Sequence, residues 1–220
     1  FFGYAIAEKL GIAEPKTVVL PNFQYVDDVN ELSLRNLWPI DFEMYADYVG
    51  FPCFMKPAFG GGWKDVNKCH NIEDIMRHYQ ASGQKTMMLQ AAVTWDIYIR
   101  IPTIGRKHVR AIRYDPAPGG LGGYNQDYDA IPSRIRDEAE ELSLRFNKAL
   151  GYDMNAIELA YKDGRYYGID LTNYTPDLDY RSLKDAHFPW AVEKMADFAV
   201  EKALSDEGTP VPPTAADLMV

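Results

Sequence analysis

The sequence predicts an α+β protein with antiparallel sheets, and three observations carry that prediction. Residues 97–104 (IYIRIPTI) alternate, and 107–114 (KHVRAIRY) return across Gly105 and Arg106, which reads as a hairpin. Residues 154–161 and 166–171 form a second hairpin around Lys162, Asp163, Gly164 and Arg165. Between the hairpins, residues 132–150 carry Ala139, Leu142, Phe146 and Leu150 on one helical stripe, with Gly151 as the stop.

The remaining elements follow the same logic. Residues 1–10 place Phe2, Ile6 and Leu10 at helical spacing, with Gly11 beyond them. Residues 16–20 (KTVVL) make a short strand, and 32–48 are helical in part around Pro39. Asn71 caps a helix over 72–81, and 86–93 (TMMLQAAV) is an apolar strand whose polar exception is Gln90. Residues 115–128, rich in Gly, Pro and Tyr, read as a long binding or lid loop. Residues 173–180 are a polar loop, 191–204 a last helix, and 205–220 an extended tail.

The totals bound the function. The 220 residues suffice for one large domain or two lobes, and 47% hydrophobic with 25% charged residues is globular composition. A net charge of -9 argues against a nucleic-acid surface. No run approaches the roughly 18 apolar residues of a membrane span. Two cysteines, Cys53 and Cys69, cannot make a disulfide framework and point to a reducing, cytoplasmic setting, with Cys53 as core packing. The chain opens Phe-Phe-Gly-Tyr without Met, so upstream residues, and with them a preceding domain, are expected.

Two stretches carry chemistry. In residues 49–64 (VGFPCFMKPAFGGGWK) an apolar strand ends at Lys56, Pro57 follows, and Gly60, Gly61 and Gly62 make a loop whose amides can approach an anion closely. A lysine beside such a loop suits polyphosphate, although a turn with a surface lysine has the same appearance. The second stretch is the late hairpin. Glu158 stands on the face opposite Ile157 and Leu159, and the turn brings it within a residue or two of Asp170, with Asn173 beyond. Facing carboxylates repel unless a cation lies between them, and Glu, Asp and an Asn carbonyl suit Mg²⁺. The plainer reading is a surface hairpin with solvated acids.

The order of these parts resembles the ATP-grasp superfamily, and within it the carboxylate–amine ligases of the RimK, glutathione synthetase and D-alanine–D-alanine ligase type. The resemblance implies two α+β lobes with antiparallel sheets gripping a nucleotide between them, here 1–88 and 89–204. It implies that Lys56 contacts phosphates, that Gly60, Gly61 and Gly62 cover them, and that Gln90, Ala91, Ala92 and Val93 form the hinge at the adenine. Asp96 falls where an acid holds the ribose, and Arg100 and Arg113 where arginines point at phosphate or the acyl intermediate. Glu158, Asp170 and Asn173 match the ligands of one or two Mg²⁺ ions. The activity implied is ATP-dependent ligation: a small-molecule or peptide carboxylate becomes an acyl phosphate and is joined to an amine, forming a carbon–nitrogen bond. Homo-oligomerisation is left open.

Two departures stand out. The family ends on Glu-x-Asn, whereas Asp170 and Asn173 are three apart, which a one-residue bulge would reconcile. The family's upstream lysine has no secure counterpart, Lys9 lying on a helix. These leave a non-catalytic nucleotide-binding module, or a small-molecule kinase, as alternatives. Asp96 pairing with Arg100 on the sheet surface, Asp177 and Asp179 facing an acceptor, and isolated His108 and His187 complete the expectations.

Overall fold

The structure, a computed structural model, describes residues 2–25, 27, 29, 33, 39–117 and 123–205. In chain order the elements are α1 (Phe2–Lys9), β1 (Thr17–Val19), α2 (Phe42–Val49), β2 (Cys53–Pro57), β3 (Asn67–Cys69), α3 (Ile72–Gln80), β4 (Met87–Ala91) and β5 (Ile97–Ile104). There follow β6 (His108–Val109), β7 (Ile112–Asp115), β8 (Gly123–Tyr124), α4 (Ser133–Leu150), β9 (Met154–Lys162), β10 (Arg165–Asp170) and α5 (Tyr180–Leu204). The architecture is the α+β, antiparallel one expected. The expected tail, apart from Ser205, and parts of 32–48 and 115–128 lie outside the described residues.

The chain divides into two compact units, one containing 15–93 and the other containing Phe1–Glu14, 94–117 and 121–220. The smaller unit is a four-stranded antiparallel sheet in the order β1-β4-β2-β3. Cys53, Met55, Met87 and Leu89 point to one face and pack on Ala46, Val49, Ile75 and Tyr79 of α2 and α3. Both helices start as their sequences dictate: Asp41 accepts from the Met44 N–H and Asn71 from the Asp74 N–H, each at 2.8 Å. The alternation that buries Cys53 and Met55 turns Phe54 and Lys56 to the other face.

The larger unit is built on an antiparallel sheet in the order β10-β9-β5-β7-β8, with β6 also on β5. One face packs Ile99, Ile101, Ile157 and Leu159 on Ile6 of α1 and on Ala139 and Phe146 of α4. On the other, Ile112 packs on Leu183 and Ala191 of α5. The β9–β10 turn places Asp163 and Gly164 at φ of 48° and 79°, the left-handed pair that an Asp-Gly turn supplies.

The structure corrects three details. The expected strand over 107–114 is two short strands, because Arg110 donates to the Pro102 carbonyl at 3.1 Å and proline has no N–H to return. Part of the expected loop over 115–128 is strand β8, paired with β7. Helical residues begin at Tyr180 rather than 191, as two helices that meet in a kink at Lys184 (φ 49°); that kink and Pro189 break the pattern by which the first part would be read. No described helix is long and apolar enough to cross a membrane.

Candidate functional site in the six-stranded unit

β5 and β9 set Arg100 directly opposite Glu158, and the β9–β10 ladder sets Asp170 opposite Glu158 as well. That second register exists because Ile169 is an extra residue: the pairing runs from Gly168–Leu159 straight to Asp170–Glu158, a β-bulge. The bulge lies before Asp170, not between Asp170 and Asn173.

Both oxygens of Glu158 are held. Arg100 Nη1 donates to Oε1 at 2.7 Å, and the Tyr98 hydroxyl donates to Oε2 at 2.6 Å. The ion pair is largely covered, with 14% and 15% of the two side chains exposed. The Asn173 side-chain oxygen accepts from Arg100 Nη2 at 3.1 Å while its amide donates to the Thr175 carbonyl at 3.2 Å, the orientation that satisfies both groups. The Arg100 guanidinium also lies 5.7 Å and 5.8 Å from the ring centroids of Tyr114 and Tyr124. Burial, reinforced by the Glu158 charge, pushes the Tyr98 hydroxyl well above the usual phenol range, so it stays a donor.

The path after β10 is fixed by a residue the sequence reading did not single out. Asn155 is fully buried; its amide donates to the Leu171 carbonyl at 3.0 Å and its oxygen accepts from the Asn173 N–H at 2.6 Å. It thereby orders the segment that presents Asn173.

Arg113 is not brought to this group. It pairs with Ile99, whereas Arg100 pairs with Ile112, so strand alternation puts the two arginines on opposite faces of the sheet. Asp96 is joined to Lys162 at 2.9 Å and not to Arg100. Asp177 and Asp179 serve the start of α5: Asp179 accepts from the Ser182 N–H at 3.0 Å, and Asp177 accepts from the Ser182 hydroxyl and the Asp179 N–H. His187 is not isolated. It is buried, accepts from Arg110 Nε at 3.0 Å through Nδ1, and donates from Nε2 to the Asn125 carbonyl at 2.7 Å.

In the four-stranded unit, Lys56 on β2 pairs with Met88 on β4, and the segment after it turns through Gly60, Gly62, Trp63 and Asp65 at φ of 149°, 65°, 61° and 60°. A Cβ at Gly61 or Gly62 would meet nothing within 4 Å, so at Gly62 it is the left-handed backbone, not crowding, that favours glycine. Gln90 is buried and donates to the Thr17 hydroxyl at 3.2 Å. The Ala91 and Ala92 N–H groups donate to the carbonyls of Lys16 at 2.9 Å and Pro52 at 3.1 Å, and Val93 ends this unit.

The late hairpin fits a hard divalent cation in its chemistry. Glu158 and Asp170 bring two carboxylates to one register position, Asn173 adds a neutral amide beside them, and the single Arg100 charge leaves the set net anionic. Among the described residues no group of three or more His, Cys, Asp and Glu is placed to hold a metal.

The fold is the ATP-grasp one, shared with the solved structures that follow. The D-alanine–D-alanine ligase of Bacillus anthracis superposes with a TM-score of 0.69 at 16% identity, covering 92% of this chain and 66% of the ligase. The same ligase complexed with ATP gives 0.62 at 18% identity, over 92% of this chain and 64% of that one. The N5-carboxyaminoimidazole ribonucleotide synthetase of Thermus thermophilus gives 0.55 at 18% identity, covering 76% and 42%. The chain thus spans about two thirds of the ligase's length and less of the synthetase's. No protein-family model and no curated protein sequence matches it.

Proposed function

We propose that this chain is the nucleotide-handling part of an ATP-dependent ligase that joins a carboxylate to an amine. The observation that carries the reading is the convergence of Glu158, Asp170 and Asn173 about Arg100, on a fold shared with a ligase seen complexed with ATP. In the proposed reaction a substrate carboxylate oxygen attacks the γ-phosphorus and ADP leaves. The amine nitrogen then attacks the acyl carbon, phosphate leaves with the C–O bond electrons, and an amide remains.

The chain's residues supply positioning and charge. Lys56, with the amides of Gly60, Gly61 and Gly62, takes phosphate oxygens; Gln90, Ala91, Ala92 and Val93 border the base, and Asp96 the ribose. Glu158, Asp170 and Asn173 would hold Mg²⁺, whose charge offsets that of the triphosphate. Arg100, locked by Glu158 and two tyrosine rings, directs a fixed positive charge at the anions that must meet.

The test is ADP and phosphate release from ATP over a panel of amino acids and small carboxylates. Wild type gives acceptor-dependent release, and Lys56→Ala and Asp170→Ala each lower it by at least about 100-fold while circular dichroism is unchanged. Undiminished turnover in both variants would remove the reading. ATP binding without turnover on any acceptor would favour a binding module, and a stable phosphorylated product would favour a kinase.

A further inference from the structure

Cys53 and Cys69, the protein's two cysteines, are directly opposed on the antiparallel strands β2 and β3, and both are fully buried as free thiols. Residues opposed in such a ladder have Cα atoms about 4.5–5.5 Å apart, inside the roughly 4.4–6.8 Å that a disulfide spans. Both side chains belong to the same buried cluster. Core packing explains a cysteine at either position, but not two facing each other at the edge of a sheet.

We infer that Cys53 and Cys69 form a reversible oxidation site whose disulfide clamps the Lys56 and Gly60–Gly62 segment. The oxidant matched to buried thiols is hydrogen peroxide. One thiolate attacks a peroxide oxygen, the O–O bond breaks, and a sulfenic acid and one water result. The second thiol attacks the sulfenic sulfur, the S–O bond breaks, and the disulfide and a second water form. Sulfur loses two electrons and peroxide gains two. Either thiol can make the first attack, and the product is the same disulfide.

Access comes from the edge. β3 has three residues, pairs on one side with β2 alone, and follows the left-handed residues Trp63 and Asp65. Fraying of so short an outer strand uncovers both sulfurs without unfolding the sheet. Once made, the bond closes a ring over the residues between 53 and 69, so the glycine segment can no longer move independently of β2. This does not depend on what the segment binds.

The experiment treats the folded protein with hydrogen peroxide and follows thiol count, intact mass and tryptic cleavage after Lys64. The expected result is loss of both thiols together, a mass loss of about 2 Da without chain dimerisation, and full recovery with dithiothreitol. Cleavage after Lys64 slows at least about fivefold on oxidation, and Cys53→Ala shows no such slowing. Thiols that survive excess peroxide, separate conversion to sulfinic acids, or links between chains would each overturn the proposal. Should Cys53→Ala not fold, peptide mapping of the oxidised wild type for a 53–69 link decides the matter alone.

Discussion

Arg100 and Glu158 stand opposite each other on β5 and β9, joined at 2.7 Å, and Tyr98 on the same strand as Arg100 closes on the other carboxylate oxygen at 2.6 Å. Two alternate residues of one strand therefore fix both oxygens of one acid on the next. Alternation gives them a common face, and their burial makes the arrangement costly to break by halves.

Arg100→Ala is expected to destabilise the protein by about 3 kcal/mol, because Glu158 is left charged, covered and short of a partner. Combined with Glu158→Gln, the loss is expected to be smaller than the sum of the single losses by about 1 kcal/mol or more. Urea unfolding of the four species measures this. Additive losses would mean that the pair is not coupled.

Asn155→Ala removes the support of the segment after β10. Leaving the Leu171 carbonyl and the Asn173 N–H without their buried partner costs about 2–3 kcal/mol. Hydrogen exchange at Asn173 is expected to accelerate well before exchange in α4. Equal acceleration throughout the unit would indicate global loosening instead.

Gly168 precedes the bulge, and a Cβ there would lie 2.9 Å from Leu171 Cδ2 and 3.0 Å from Cδ1. Leu171 is buried and has little room to yield. Gly168→Ala is expected to cost about 1–3 kcal/mol by overpacking. It should also weaken Mn²⁺ binding, followed by electron paramagnetic resonance, because the Asp170 register shifts. Unchanged stability would show that Leu171 repacks freely.

His187 predicts a pH dependence. Burial, opposed by its hydrogen bond to the Asn125 carbonyl and aided by the Arg110 charge, holds the imidazole below its usual range. Below about pH 6.5 the unfolded chain then binds a proton that the folded protein resists. This contribution is complete above that pH and is lost as pH falls toward the folded value. Melting temperature should therefore drop more between about pH 7.5 and 5.5 in wild type than in His187→Gln. Identical pH profiles for the two proteins would refute the assignment.

Several local signals in the sequence were read correctly. The Asp163–Gly164 turn, the Asn71 cap and the α4 stripe need only neighbouring residues, and from that turn alone Glu158 and Asp170 fall opposite each other within a residue or two. The bulge at Ile169, the Arg100–Glu158 pair and the face on which Arg113 stands depend instead on which strand lies beside which. Partners 58 residues apart leave no periodicity to detect. His187 reads as isolated, and Asn155 draws no notice, for the same reason: a polar residue looks ordinary until the fold buries it against distant groups. By itself, then, this sequence determined its turns, caps, amphipathic faces and the order of its chemical groups, because those are set by backbone preference and short-range pairing. The tertiary structure alone decided which charges meet, since strand register in a sheet is fixed by packing between segments far apart in the chain.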